Sequence, residues 1–139
     1  MRIAFGVDEP DALSDHLPDW LADQGHQVEV VARDVPWPDA GRAVGEAVAG
    51  GRADVGVVCC WTGTGVSIAA NKVPGVRAAL CTDAETASGA RRWNDANVVA
   101  LGQRLTSATV ASEILTAFLT TPVDADEVAT IARLDEPGA

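Results

Sequence analysis

A cysteine thiol and a glycine-rich turn stand side by side near the middle of the chain. The apolar run 54–58 leads into Cys59 and Cys60, and residues 61–65 then read Trp-Thr-Gly-Thr-Gly. A small-residue amphipathic stretch follows, so this order predicts a strand, a tight turn and a helix. The unpaired N–H groups at the start of a helix attract anions, and the same field stabilises a thiolate. A thiolate at Cys60 beside a cradle for an oxyanion is a catalytic arrangement.

The composition predicts one compact globular domain over residues 1–139. Hydrophobic residues make up 47% of the chain, with few aromatic residues among them, so Ala, Val and Leu must provide most of the core. The formal net charge of −10 disfavours nucleic acid and anionic membranes as partners. No apolar run reaches the ~18 residues of a membrane span, and the N-terminal residues lack the pattern of a signal peptide.

Cysteine usage indicates a reducing compartment. Two of the three cysteines are adjacent in sequence, which does not suit a disulfide framework, and no paired spacing of metal ligands is present. We therefore expect a cytoplasmic protein without a metal site.

Five apolar segments alternate with amphipathic ones along the chain. This alternation predicts an α/β fold, a three-layer, doubly wound parallel sheet of five strands with helices on both faces. In such sheets ligands bind at the carboxyl ends of the strands, where Asp8, Glu9, residues 60–65 and Asp83 would gather. The predicted strands are residues 2–7, 27–31, 54–59, 76–81 and 97–101. The predicted helices run from residue 10 to near 25, over 40–49, from the glycine turn to 72, over 84–92 and 107–119, and, as a more polar helix or arm, over 124–134.

The glycine turn is compatible with several functions. A Walker A loop would need Gly-Lys-Ser/Thr, and a cysteine phosphatase would need an arginine where Val66 stands. A dinucleotide site is a further alternative, because Gly63 and Gly65 begin a G-x-G-x-x-G pattern and Asp83 follows about twenty residues later. However, Ile68 replaces the third glycine, and the turn follows the third strand instead of the first. Nicotinamide binding is therefore disfavoured.

Two segments carry a resemblance to a known family. Residues 62–72 read Thr-Gly-Thr-Gly-Val-Ser-Ile-Ala-Ala-Asn-Lys, and residues 94–102 read Asn-Asp-Ala-Asn-Val-Val-Ala-Leu-Gly and are followed by Arg104. With the opening strand and Asp8, these segments resemble the type B ribose-5-phosphate isomerases and the related galactose-6-phosphate isomerase subunits. The resemblance implies a doubly wound five-stranded sheet and a homodimer, or a dimer of dimers, with active sites between subunits. It also implies a small polyol, sugar or sugar phosphate as substrate, and no metal or organic cofactor.

The resemblance further implies a role for each matching residue. Cys60 falls on the position of the base that removes the proton between C1 and C2 of the sugar, giving an enediolate. The N–H groups of the turn match the hole that binds the enediolate oxygen, which is worth about 3–4 kcal/mol per donor in comparable sites. Asp8 and Asn94 match groups that bind substrate hydroxyls, and Arg104 matches a phosphate ligand. The turn residues, together with a serine that caps the helix or contacts substrate, are Thr62, Gly63, Thr64, Gly65 and Ser67.

The chain departs from the family pattern at four places. The histidine that usually follows the first aspartate is Glu9, the glycine after the thiol is Trp61, and the ring-opening histidine is Trp93. The variable C-terminal arm, residues 124–139, is basic in the family but acidic here, and only Arg133 could replace its phosphate ligands. A glutamate beside a phosphate would be repulsive, and two indoles would narrow and dry the pocket or stack on an apolar ligand face. We therefore expect a substrate other than ordinary ribose 5-phosphate, such as an acyclic, unphosphorylated or less polar compound.

Three functional hypotheses follow from the sequence. The first is an aldose–ketose isomerase with Cys60 as base and the turn as oxyanion hole. The second is a relative that catalyses proton transfer on a different small molecule. The third is a non-catalytic binding or partner subunit, in which Trp61 and Trp93 merely fill space left by lost polar residues.

Overall fold

A computed structural model describes residues 1–138, so residue 139, the last of the predicted arm, lies outside the described residues. The strands are β1 (Arg2–Val7), β2 (Gln27–Ala32), β3 (Val55–Cys60), β4 (Ala78–Leu80) and β5 (Val98–Gly102). All strand pairs form one parallel sheet in the order β2-β1-β3-β5-β4. The chain adds β2 on one side of β1 and the remaining strands on the other side, which confirms the doubly wound topology predicted from the alternating segments.

Helices cover both faces of the sheet. The helices are α1 (Ala12–Asp23), α2 (Trp37–Ala49), α3 (Thr64–Asn71), α4 (Ala84–Asn94), α5 (Ala108–Thr120) and α6 (Val128–Ala132), and 3-10 turns at Ala125–Glu127 and Arg133–Asp135 flank the last of them. One face of the sheet packs against α1, α4 and α5, and the other packs against α2 and α3. None of the helices within residues 1–138 has the length and apolar character that a bilayer span requires.

The central strand β3 is buried along its whole length. Because side chains alternate along a strand, Val57 and Cys59 face α1, α4 and α5, whereas Val58 and Cys60 face α2 and α3. A strand covered on both faces has to be apolar throughout, and the run Val-Gly-Val-Val-Cys-Cys meets that requirement. Cys60 therefore reaches the carboxyl end of β3 on the side of α3.

Helices α2 and α3 lie in close contact through glycine. A Cβ atom on Gly41 would lie 2.7 Å from the carbonyl oxygen of Val66, and one on Gly45 would lie 2.9 Å from Val73. The absence of side chains on α2 thus lets α3 approach closely. This contact fixes the position of α3, and with it the turn that precedes α3.

Several predicted bounds differ from the observed ones. Helix α1 begins at Ala12 because Asp11 caps it, so Pro10 lies outside the helix. Helix α2 begins earlier than predicted because a proline is accepted in the first helical turn. Strand β4 is shorter than predicted. Directly before it, the N–H of Arg77 donates to the side chain of Asn97, and its first residue, Ala78, has both backbone groups bound by the Asn71 side chain. The predicted polar helix at 124–134 is interrupted by the two 3-10 turns.

Candidate active site

The thiol of Cys60 lies at the start of the glycine turn. Cys60 is 5% exposed, and its Sγ accepts a hydrogen bond from the N–H of Gly63 at 3.2 Å. Gly63 has φ +76°, and a Cβ atom there would lie 2.9 Å from the backbone nitrogen of Gly102. Only glycine fits this combination of a left-handed backbone and direct contact with the end of β5. The turn thereby aims its N–H at the sulfur.

The start of α3 supplies further N–H donors. Gly63 is the N-cap and provides no side-chain cap, so the N–H groups of the first helical turn have no partner inside the helix. The hydroxyl oxygens of Thr62 and Thr64 lie 2.7 Å apart on the solvent side of the turn. Ser67 does not cap the helix, so that part of its prediction is wrong. Its N–H instead donates to the carbonyl of Gly63.

The end of β1 lies beside Cys60. Val7, the last residue of β1, pairs with Cys59 in the parallel register, and neighbouring strands lie about 4.8 Å apart. Asp8 and Cys60 each follow a residue of this pair, so they lie close together. The Asp8 carboxylate accepts the N–H of Glu9 at 2.6 Å. The predicted meeting of the β1 and β3 ends is confirmed.

Sequence reasoning missed Gln103. Its backbone N–H donates to the carbonyl of Cys60, and its side-chain amide donates to the carbonyl of Glu9 at 2.9 Å. Gln103 is one of few buried polar residues. Its position directly after β5, at the carboxyl edge of the sheet, is the signal that could have found it. It joins the ends of three strands around the thiol.

A tryptophan forms one wall of the site. Trp37 begins α2, and a Cβ atom on Gly65 would lie 2.9 Å from its ring, so the indole lies on the first turn of α3. Trp37 is also 46% exposed. A cavity of about 350 Å³ opens beside it, and its lining consists of Asp8, Glu9, Asp34, Val35, Pro36 and Trp37.

A second group of candidate residues lies at the opposite end of the strands, on the side of their amino ends. Helix α4 starts at Ala84, after the carboxyl end of β4, and ends at Asn94, ahead of the amino end of β5. The four residue steps of β5, at ~3.3 Å each, put Asn94 on the order of 13 Å or more from the edge that holds Cys60. Leu134 and Asp135 line the same cavity as Asn94, so the segment with Arg133 is at this edge too.

The candidate residues thus form two halves that one chain does not bring together. We call them the thiol half and the amide half. The thiol half consists of Asp8, Glu9, Cys60, Trp61, residues 62–65, Ser67 and Arg104. The amide half consists of Trp93, Asn94 and Arg133.

Neither replacement indole fills an interior space. Trp61 is 61% exposed and Trp93 is 52% exposed. The Trp93 ring lies against its own helix over Gly89, where a Cβ atom would come within 2.8 Å of the ring. Within one chain, the interpretation of these indoles as space fillers is therefore wrong.

Basic groups are scarce at both halves. Six of the ten basic side chains form ion pairs. Arg104 and Arg133 belong to none of these pairs within residues 1–138. The backbone N–H of Arg104 donates to the carbonyl of Trp61, which places this residue directly beside the thiol half. Each half therefore has one guanidinium group available for a ligand.

The other two cysteines do not belong to the site. Burial raises the pKa of the Cys59 thiol far above its ordinary value, and the pKa of Cys81 is raised to about 11, chiefly by burial. Both thiols are protonated at neutral pH and enclosed in the core. Among residues 1–138, no three His, Cys, Asp or Glu side chains are grouped as a metal site would require.

The chain is similar throughout to one family of proteins. The Ribose/Galactose Isomerase family matches residues 3–136. The chain belongs to this family. It is 38% identical over 125 residues to ribose-5-phosphate isomerase B of Escherichia coli, and the match covers 85% of this chain and 83% of the relative. It is 39% identical over 127 residues to galactose-6-phosphate isomerase subunit LacB of Clostridium acetobutylicum, and the match covers 86% of this chain and 72% of the relative.

A solved structure of the family has the same fold. Ribose-5-phosphate isomerase B of Clostridium thermocellum superposes with a TM-score of 0.91 at 36% identity, and the match covers 97% of this chain and 95% of that one. The fold class and the family predicted from the sequence are therefore confirmed. The chain is an isomerase of the ribose/galactose type, and its relatives act on more than one sugar phosphate.

Proposed function

We propose that the protein interconverts an aldose and a ketose through an enediolate. The Cys60 thiolate removes the proton from C2 of the open-chain aldose, and the electron pair moves onto the C1 oxygen. The same sulfur then returns the proton to C1, while the proton of the C2 hydroxyl is transferred to the C1 oxygen, so that C1 carries a hydroxyl and C2 becomes the ketone. The overall change moves hydrogen within one molecule and needs no external oxidant.

One observation carries this proposal. The sulfur that would act as base and the N–H groups that would hold the oxyanion belong to the same turn, with Gly63 donating to Cys60 Sγ at 3.2 Å. The first turn of α3 adds unpaired donors and the positive end of a helix dipole. Donors of this kind stabilise the enediolate more than the neutral sugar, which is the requirement for a faster reaction.

We further propose that a working site forms between two copies of the chain. The thiol half lies at the carboxyl ends of the strands, and the amide half lies at their amino ends. In a twofold dimer, the amide half of a second copy faces the thiol half of the first, and the reverse contact is made at the same time. A homodimer with two interfacial sites satisfies this geometry. The free thiols suit a reducing compartment such as the cytoplasm.

Deuterium incorporation tests the chemistry. The protein is incubated in deuterated water with pentoses, hexoses and their phosphates, and label at C2 is followed by NMR. We expect exchange with at least one compound and a loss of at least about 10³-fold in Cys60→Ser, since the base is removed. Cys81→Ala is the matched control, because it removes a thiol outside the site and should retain exchange. Exchange that survives in Cys60→Ser would refute the role of the sulfur.

The two remaining hypotheses give different results in the same assay. A relative that acts on another molecule would leave the whole panel unlabelled, although Cys60 would react readily with iodoacetamide. A partner subunit would show neither exchange nor an accessible Cys60. The partner-subunit hypothesis has support from the Clostridium acetobutylicum relative, which is named as a subunit.

A further inference from the structure

We infer that the natural substrate carries no phosphate and that an uncharged, hydroxyl-bearing carbon chain occupies the cavity beside Trp37. This inference rests on the proposed isomerase function, because it concerns the part of the substrate that does not react. It depends on the charge and shape of the walls around that cavity.

Three carboxylates line the cavity. The Asp8 carboxylate accepts only a local backbone N–H, from Glu9. The carboxylates of Glu9 and Asp34 make no hydrogen bond or ion pair with any residue from 1 to 138. Asp34 is held at φ +56°, a left-handed conformation that aspartate accepts better than most residues. Two of the three carboxylates therefore have no partner within residues 1–138, and both belong to solvent-exposed residues that a ligand can reach.

A phosphate would meet more negative than positive side-chain charge in this site. A phosphate monoester carries about −1.5 to −2 charges at neutral pH. Even if Arg104 and Arg133 of a second copy both reached it, the three carboxylates would outnumber the guanidinium groups. The C-terminal segment that carries Arg133 makes the balance worse, because its other charged residues are all acidic: Asp124, Asp126, Glu127, Asp135 and Glu136.

The same walls suit a neutral sugar chain. Carboxylates accept O–H hydrogen bonds, and an ionised acceptor makes these bonds shorter and stronger. The exposed indole of Trp37 and the neighbouring ring of Pro36 provide an apolar surface for the C–H groups of a polyol. Because the indole also contacts Gly65, a chain bound there would begin beside the oxyanion turn. The reacting carbon could then lie at Cys60.

Matched pairs of compounds test the inference. Exchange at C2 is measured for D-ribose against D-ribose 5-phosphate, and for D-allose against D-allose 6-phosphate. Binding is measured separately through tryptophan fluorescence, with ribitol against ribitol 5-phosphate. We expect the unphosphorylated member of each pair to exchange at least tenfold faster and to bind with at least tenfold lower Kd. A preference for the phosphates in binding or exchange would overturn the inference.

Charge-removing variants assign any preference to the cavity. In the double variant Glu9→Gln with Asp34→Asn, we expect the preference to move at least tenfold towards the phosphorylated compounds. The matched control is Asp19→Asn with Glu113→Gln, which removes two exposed carboxylates outside the cavity and should leave the preference unchanged. An equal shift in both double variants would show that net charge, and not the cavity, determines the preference, and would also overturn the inference.

The two proposals fail in distinguishable ways. If the phosphates are preferred and exchange still depends on Cys60, the isomerase function stands and the substrate inference falls. If ribitol binds better than its phosphate but no compound exchanges, the isomerase function falls, and only the preference of the cavity for an uncharged chain stands.

Discussion

At the scale of single residues, the backbone around Cys60 makes its thiol different from the other two cysteine thiols. Cys59 and Cys81 are enclosed by apolar groups, which raises the pKa of both. Cys60 is also buried, but its sulfur accepts a backbone N–H from the turn. This hydrogen bond to the turn is the feature that sets the proposed base apart from the two core thiols.

Gly63→Ala should damage both stability and activity. The new methyl group would require an unfavourable left-handed backbone, costing roughly 1–2 kcal/mol, and would lie 2.9 Å from the backbone of β5. Overpacking of this kind adds about 1–3 kcal/mol. We expect a loss of about 3 kcal/mol in urea unfolding, and at least 100-fold in kcat because the N–H donors move.

The control for this substitution is Gly51→Ala. Gly51 has nearly the same backbone, with φ +79°, but nothing lies within 4 Å of the added carbon. It should therefore lose only the backbone term and keep its kcat. If both variants lose the same stability and activity, the contact between the turn and β5 has no special role.

At the scale of secondary-structure elements, the position of the turn depends on how closely α3 can approach α2. Gly41→Ala would bring a Cβ atom within 2.6 Å of Ala69 and 2.7 Å of the Val66 carbonyl. Since neither group is a flexible side-chain end, the helices have to separate. We expect a loss of about 1–3 kcal/mol in stability and a clear fall in kcat, measured by urea unfolding and C2 exchange.

Gly89→Ala is the control for a substitution inside a helix. There the added carbon meets only the ring of the half-exposed Trp93, which can move away. Alanine is favoured over glycine in helices by up to about 1 kcal/mol, so this variant should be as stable as the parent or more stable. Equal destabilisation by the two substitutions would contradict the importance of close helix contact.

The elements that the sequence predicted well are those whose pattern is local. Strands β1, β2, β3 and β5 were predicted within one residue at each end. For β1, β3 and β5 the signal is the apolar run that a strand covered on both faces requires. Strand β4 was predicted too long: the N–H of Arg77, directly before it, donates to the side chain of Asn97 from elsewhere in the chain. Such side-chain contacts depend on the finished fold.

Only part of the candidate site was predictable, because only part of it depends on a local sequence pattern. Cys60 and its turn are contiguous in sequence, so their proximity followed from the pattern. The separation of Asn94 from Cys60 was also visible in the sequence, through the position of Asn94 in the chain and not through its residue type. A residue that precedes a parallel strand lies at its amino end, whereas ligands bind at the carboxyl ends. Gln103 was missed because its role is to join strand ends that are distant in sequence.

At the scale of the whole molecule, the separation of the two halves predicts that activity is a property of a pair of chains. Cys60→Ser disables the thiol half, and Asn94→Ala disables the amide half, which we expect to lower exchange tenfold or more. In a mixed dimer of these variants, one site contains both defects and the other contains none. Random pairing should restore about one quarter of the parent activity if each site takes one half from each chain.

The mixing experiment decides between an interfacial site and a site within one chain. The two variants are unfolded in urea, mixed in equal amounts and refolded together, and C2 exchange is compared with that of each variant refolded alone. A mixture of Cys60→Ser with Cys60→Ala is the control, because every site in it lacks the base and no activity can return. Recovery in the first mixture alone requires that Cys60 and Asn94 act from different copies. Absence of recovery, with mixed dimers confirmed by native mass spectrometry, would place all catalytic groups in one chain and exclude the proposed interface.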